Sequence, residues 1–207
     1  LTEAQIGIIA ATSAIVGVLA TSAWGSFSDR VGRRKPFIAL GCTVFASTMI
    51  AYTLISSFEA FLTLAIFGSL LAPSSTALLA ASVFELASPE AKATMYAHYR
   101  IWGSAGWIIT TSFVGKFISA YGIKAAFYLA AVLYLFATLN SLRIMESKKR
   151  QTLATRQTSV APIKELIKDR RLPVFLIILT LLFTTFSMTS VFLPLYLNFL
   201  GASPELI

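Results

Sequence analysis

Gly25-Ser26-Phe27-Ser28-Asp29-Arg30-Val31-Gly32-Arg33-Arg34-Lys35 stands between two apolar runs, Ala4–Trp24 and Phe37–Ile55. Neither run contains a single Asp, Glu, Lys or Arg, whereas the stretch between them carries an acid and four bases. A helix needs about 20 mostly apolar residues to cross roughly 30 Å of hydrocarbon. Two runs of that kind, joined by a short charged link, read as two membrane-spanning helices and the loop that turns between them.

Working outward, the same pattern recurs at Ala60–Phe84, Ile101–Ala120, Ile123–Leu142 and Val174–Phe199. Lys116 is the one charge well inside a run, close enough to an end to snorkel, and Lys124 sits just inside the start of the next. A membrane barrel would instead show ~10-residue strands of alternating polarity. The expected fold is all-α, a polytopic bundle of six transmembrane helices.

Composition agrees. Of 207 residues, 57% are hydrophobic and only 13% charged, against roughly 25% charged in ordinary soluble domains. The net charge of +8 is not that of a nucleic-acid binder, because the bases lie between apolar runs rather than along one face of a soluble fold. A single Cys (Cys42) and a single His (His98) exclude a disulfide scaffold and leave no ligand set for structural zinc. No catalytic constellation or phosphate-binding loop is present, so neither an enzyme nor a cofactor is expected.

The bases also orient the chain. All but Lys116 and Lys124 of the 17 Lys and Arg fall in the first, third and fifth links, and cytoplasmic loops collect Lys and Arg. Those links are therefore expected inside, at a plasma or inner membrane, with both chain ends outside. An exported start with no Met and no signal peptide suggests a section of a longer protein. The expected division is an N-terminal bundle over 1–142, a cytoplasmic linker over 143–173 and the start of a second bundle over 174–207. Within the linker, Ile163, Leu166 and Ile167 share one face of a short helix suited to the membrane surface. Thr2 and Ser203 each precede an acid and an apolar stretch, the entrance to a helix repeated at both ends.

Residues 25–35 resemble the loop signature of the major facilitator superfamily, a Gly, an Asp four later, then Arg-x-Gly-Arg-Arg-Lys. The resemblance implies that the six runs are family helices two to seven of a partial major facilitator fold, the other helices of the same protein being its partners. It assigns a gating role to Gly25, Asp29, Arg30, Gly32, Arg33, Arg34 and Lys35. Glu85-Leu86-Ala87-Ser88-Pro89-Glu90-Ala91-Lys92 resembles the family's loop after helix four, whose acid pairs with the signature Arg. Glu85, Arg33 and Asp29 are expected to form one cluster. Independently of the family, Gly25 would let two helices approach closely, Gly32 permits a turn closed to other residues, and Pro36 can open the next helix in its first turn.

Along the run from Ile101, a 100° step puts Arg100, Ser104, Trp107 and Thr111 on one stripe. A guanidinium fork beside a flat aromatic face suits a sugar, with hydroxyls on the charge and the ring on the indole. The stretch resembles helix five of the lactose permease-like oligosaccharide–proton symporters, with Arg, Gly, Gly and Trp at this spacing. The alternative for Arg100 and Trp107 is a snorkelling base and a packing ring. Thr111-Ser112-Phe113-Val114-Gly115-Lys116 lacks the Gly-Pro and Gly-Gly of drug antiporters. The expected function is secondary transport of a sugar or other small polar solute across the bilayer. A multidrug/proton antiporter of the same superfamily and a non-transporting membrane receptor are the alternatives. No acid lies in the middle of a run, so proton coupling has no obvious carrier in this stretch of chain.

Overall fold

The structure, a computed structural model, describes residues 1–72, 75–86, 92–144 and 171–201. Seven helices account for almost all of them: α1 (Glu3–Val31), α2 (Lys35–Tyr52), α3 (Phe58–Leu71), α4 (Ser75–Leu86), α5 (Lys92–Tyr121), α6 (Ile123–Ser141) and α7 (Arg171–Phe199). Among the described residues there is no strand. Among the described residues, five stretches are long and apolar enough to cross a membrane: α1, α2, the α3–α4 span Phe58–Glu85, α6, and Leu172–Leu197 within α7. The 30-residue α5 has the length but is diluted by His98, Arg100 and Lys116.

Local chemistry sets the helix limits. Thr2 caps α1 through a reciprocal pair in which Gln5 N–H donates to the Thr2 hydroxyl and Thr2 N–H donates to Gln5 Oε1, a capping box that satisfies two orphan donors. α1 stops at Gly32, whose left-handed φ of 72° lets its N–H return to the Ser28 carbonyl. A side chain would strain that conformation. Pro36 lies in the first turn of α2, where its missing N–H costs nothing. Asp29 and Arg30 are thus helical residues, the last turn of α1 extending past the apolar run. The expected third run is one span, Phe58–Glu85, interrupted where Pro73 predicts a break: α3 ends at Leu71 and α4 begins at Ser75. Pro73 cannot donate to the Ser69 carbonyl, and the residue before a proline disfavours the helical region. Ala72 is accordingly extended, with ψ 95°.

The chain divides into two compact units, Leu1–Thr155 and Arg156–Ile207. In the first, α2 is central, packing most extensively on α6 and also on α3 and α4; α1 lies against α3, and α5 against α6 and α4. Hydrocarbon is as apolar as a leucine, so helices in a bilayer associate through close packing and interhelical hydrogen bonds. Both are present. Ala46 of α2 and Ala131 of α6 are almost wholly buried. Thr53 donates to the Tyr128 hydroxyl at 3.1 Å, Thr43 and Thr138 share a bond of 3.4 Å, and Phe45 stacks on Tyr134 at 5.2 Å. Gly68 brings α3 onto Thr48 of α2, where an added Cβ would lie 3.2 Å from that side chain. Large apolar residues such as Ile15, Val18 and Leu19 point outward, as suits a surface bathed in lipid.

In the second unit, α7 carries Pro194 within it. Its Thr180, Thr184, Thr185, Thr189 and Ser190 hydroxyls donate to carbonyls four residues back. The expected linker helix, Pro73-Ser74 and the Ser203 cap lie outside the described residues.

Candidate functional site

The Gly32 turn throws Arg34 back across the end of α1. Its Nη2 lies 2.8 Å from Glu85 Oε1 and 3.6 Å from Asp29 Oδ1, so one guanidinium joins the last turns of α1 and α4 at the entrance to α2. The Arg34 side chain is only 12% exposed, Glu85 35% and Asp29 56%. An ion pair withdrawn from water in this way interacts more strongly than a surface pair, and a charge-assisted bond of 2.8 Å is the strong kind.

The expected cluster therefore exists with a different base. Arg34, not Arg33, reaches Glu85 and Asp29, and Arg33 is exposed. The reason is geometric. Arg33 follows the left-handed Gly32 directly and points out of the turn, whereas Arg34 is the N-cap residue just before α2 and faces back over the junction. Arg30 is exposed as well; Lys35 is half-buried in the first turn of α2.

Gly25 also departs from expectation. Among the described residues it makes no close helix contact, because an added Cβ would meet nothing within 4 Å. Gly25 instead helps to open a cavity of about 220 Å³ lined by Thr21, Trp24, Asp29 and Arg34 on one side and Ala77, Leu78 and Ala81 of α4 on the other. Small residues on both walls make the space, and the ionic junction closes one end of it.

Trp24 and Ser28 are residues that sequence reasoning passed over. The Trp24 indole Nε1–H donates to the Leu70 carbonyl at 2.8 Å. Leu70 lies in the last turn of α3, where carbonyls have no partner along the helix, so α1 dresses the end of the interrupted span. The Trp24 ring also meets Phe27 at 6.0 Å and Phe37 at 5.9 Å and packs on the buried cluster of Phe37, Ile38, Cys42 and Leu78. Ser28, one turn beyond Trp24, is wholly buried, and its hydroxyl has no partner among the described residues. A Trp at the end of an apolar run was the available signal; which carbonyl it would reach was not.

The helix-five stripe stands apart from this junction. Arg100, Ser104, Trp107 and Thr111 all lie on the continuous α5 and all are exposed, Trp107 at 71%. Thr111 donates to the Trp107 and Ile108 carbonyls of its own helix. Cys42 is buried beside Ser75, with its sulfur 3.8 Å from the hydroxyl, and the His98 ring bonds the Thr94 carbonyl at 2.8 Å. Among the described residues no group of three His, Cys, Asp or Glu is placed to hold a metal ion.

The family model described as Major Facilitator Superfamily matches residues 1–207. The chain belongs to the major facilitator superfamily. Among curated proteins and among solved structures, none matches it. Membership makes this a multi-pass membrane protein of a transporter family. In this superfamily member, the signature's second adjacent arginine makes the ion pair.

Proposed function

We propose that the chain is part of a secondary transporter that moves a small polar solute, preferentially a sugar, by alternating access, with the Asp29–Arg34–Glu85 junction as the latch on its cytoplasmic side. The observation that carries the latch is the position of Arg34, 2.8 Å from Glu85 and 3.6 Å from Asp29, at the ends of two membrane helices. Alternating access requires helix ends on one side to separate and rejoin. A guanidinium held between carboxylates on different helices closes with a defined geometry and opens without breaking covalent structure. The basic first, third and fifth links support the inward orientation.

The solute reading rests on α5. Arg100, Ser104, Trp107 and Thr111 follow one stripe of an unbroken helix, offering a fork of N–H donors, two hydroxyls and a flat ring. On this reading Trp107 stacks against a sugar ring while Arg100 bonds its hydroxyls.

The test is uptake into proteoliposomes of radiolabelled mono- and disaccharides beside a lipophilic cationic drug. Sugar uptake is the expected result. Arg100→Lys should then weaken sugar binding strongly, since an ammonium cannot reproduce the planar fork, and Trp107→Tyr should be tolerated better than Trp107→Leu. Normal affinity in both Arg100→Lys and Trp107→Leu removes the site from α5, and drug transport without sugar transport overturns the solute class.

A further inference from the structure

With Arg34 turned inward, the two flanking arginines of the same stretch are left facing outward. Arg30, in the last turn of α1, and Arg33, just after Gly32, are both exposed, and neither has an ion-pair partner among the described residues. Their apolar neighbours are exposed too, Phe27 at 51% and Val31 at 47%. A third exposed arginine, Arg143, follows the end of α6 beside Leu142, which is 51% exposed. Ile144 packs on the cluster of Phe37, Ile38, Cys42 and Leu78, which brings the exit of α6 to the end of the bundle where α1 stops and α2 starts. One end of the bundle thus carries exposed arginines near in sequence to half-exposed apolar side chains, Val31 and Phe27, the latter with one edge on Trp24 and Phe37.

That combination matches one class of partner. A phospholipid places a phosphate at the height of helix ends and acyl chains alongside the helix bodies. Guanidinium groups bind phosphate oxygens through paired N–H donors, and a cation is attracted to an anionic headgroup. We propose that Arg30 and Arg33, with Arg143 on the same rim, form a binding surface for an anionic phospholipid, phosphate on the guanidinium groups and acyl chain against Phe27 and Val31. The division of labour follows from Gly32: the turn that sends Arg34 to the carboxylates leaves Arg33 for the lipid. This surface depends on the membrane-spanning reading but not on which solute is carried or whether the latch operates.

Native mass spectrometry of the full chain in detergent, equilibrated with equimolar phosphatidylglycerol and phosphatidylcholine, reads the preference directly. The expected result is selective retention of phosphatidylglycerol, with affinity falling roughly thirtyfold in Arg30→Gln/Arg33→Gln, about fivefold per arginine. Arg30→Lys/Arg33→Lys should fall between the wild type and the double Gln variant, because the charge remains but the paired N–H donors are lost. Glycerol phosphate at equal concentration should not displace the lipid, since it has no chain to lay on Phe27 and Val31. Equal retention of the two lipids by the wild type overturns the proposal. So does an unchanged preference in the double Gln variant, and displacement by glycerol phosphate would make this a free-phosphate site. Arg33→Gln alone, at the position outside any helix, serves if the double variant does not fold, and should lose about fivefold. Because no transport is measured, this test can fail while the transport reading stands, and the reverse.

Discussion

Trp24→Phe isolates one atom's contribution to the bundle. Phenylalanine keeps an aromatic ring against Phe27 and Phe37, but the indole N–H that reaches the Leu70 carbonyl at 2.8 Å is lost. That carbonyl belongs to the last turn of α3, just before Ala72 turns out of the helix. Leaving an acceptor unsatisfied costs about 1–3 kcal/mol, and within the hydrocarbon no water takes the donor's place. The expected loss is therefore in the upper half of that range, a factor of about 30 or more in the folding equilibrium. Unfolding in mixed detergent micelles, followed by circular dichroism, measures it. Trp107→Phe is the control: that ring is 71% exposed and its indole has no partner among the described residues, so the change should stay within about 0.5 kcal/mol. Equal losses for the two substitutions would refute the reasoning, since ring volume alone would then explain both.

Further outcomes follow from the same geometry. Arg34→Ala should destabilise the chain by about 1.5–3 kcal/mol, the worth of a hydrogen bond to a charged group, and Arg33→Ala by under about 0.5 kcal/mol; the reverse order in the same unfolding assay would return the pair to Arg33. Asp29→Asn should insert normally yet slow transport, because the neutral amide attracts Arg34 less; wild-type rates at matched membrane abundance would remove the latch. Gly25→Ala should be neutral or stabilising by up to about 1 kcal/mol, as alanine favours helix and the position is open. Gly68→Ala should destabilise by about 1–3 kcal/mol through its contact with Thr48, and a thermal unfolding series that ranks the two glycines the other way would contradict the packing.

Much of the molecule is written locally in the chain. Helices α1, α2, α6 and α7 follow the apolar runs, because the bilayer sets one length and one polarity for anything that crosses it. The stop at Gly32 and the start at Pro36 were legible because each depends on the backbone freedom of its own residue. Even the meeting of Glu85 with an arginine of the signature could be anticipated, from a resemblance that covers both. What the residues alone, without that resemblance, did not contain is which side chains of two helices meet. Adjacent arginines have the same chemistry, and only the path of the chain through a left-handed Gly32, with α4 on the far side, decides that Arg34 turns inward and Arg33 outward. Gly25 read as a close contact because glycines often are; the distance between α1 and α4 made it the wall of a cavity instead. The break in the third run was legible from Pro73, but that Trp24 of α1 would donate to the Leu70 carbonyl beside it depends on where α1 packs against α3.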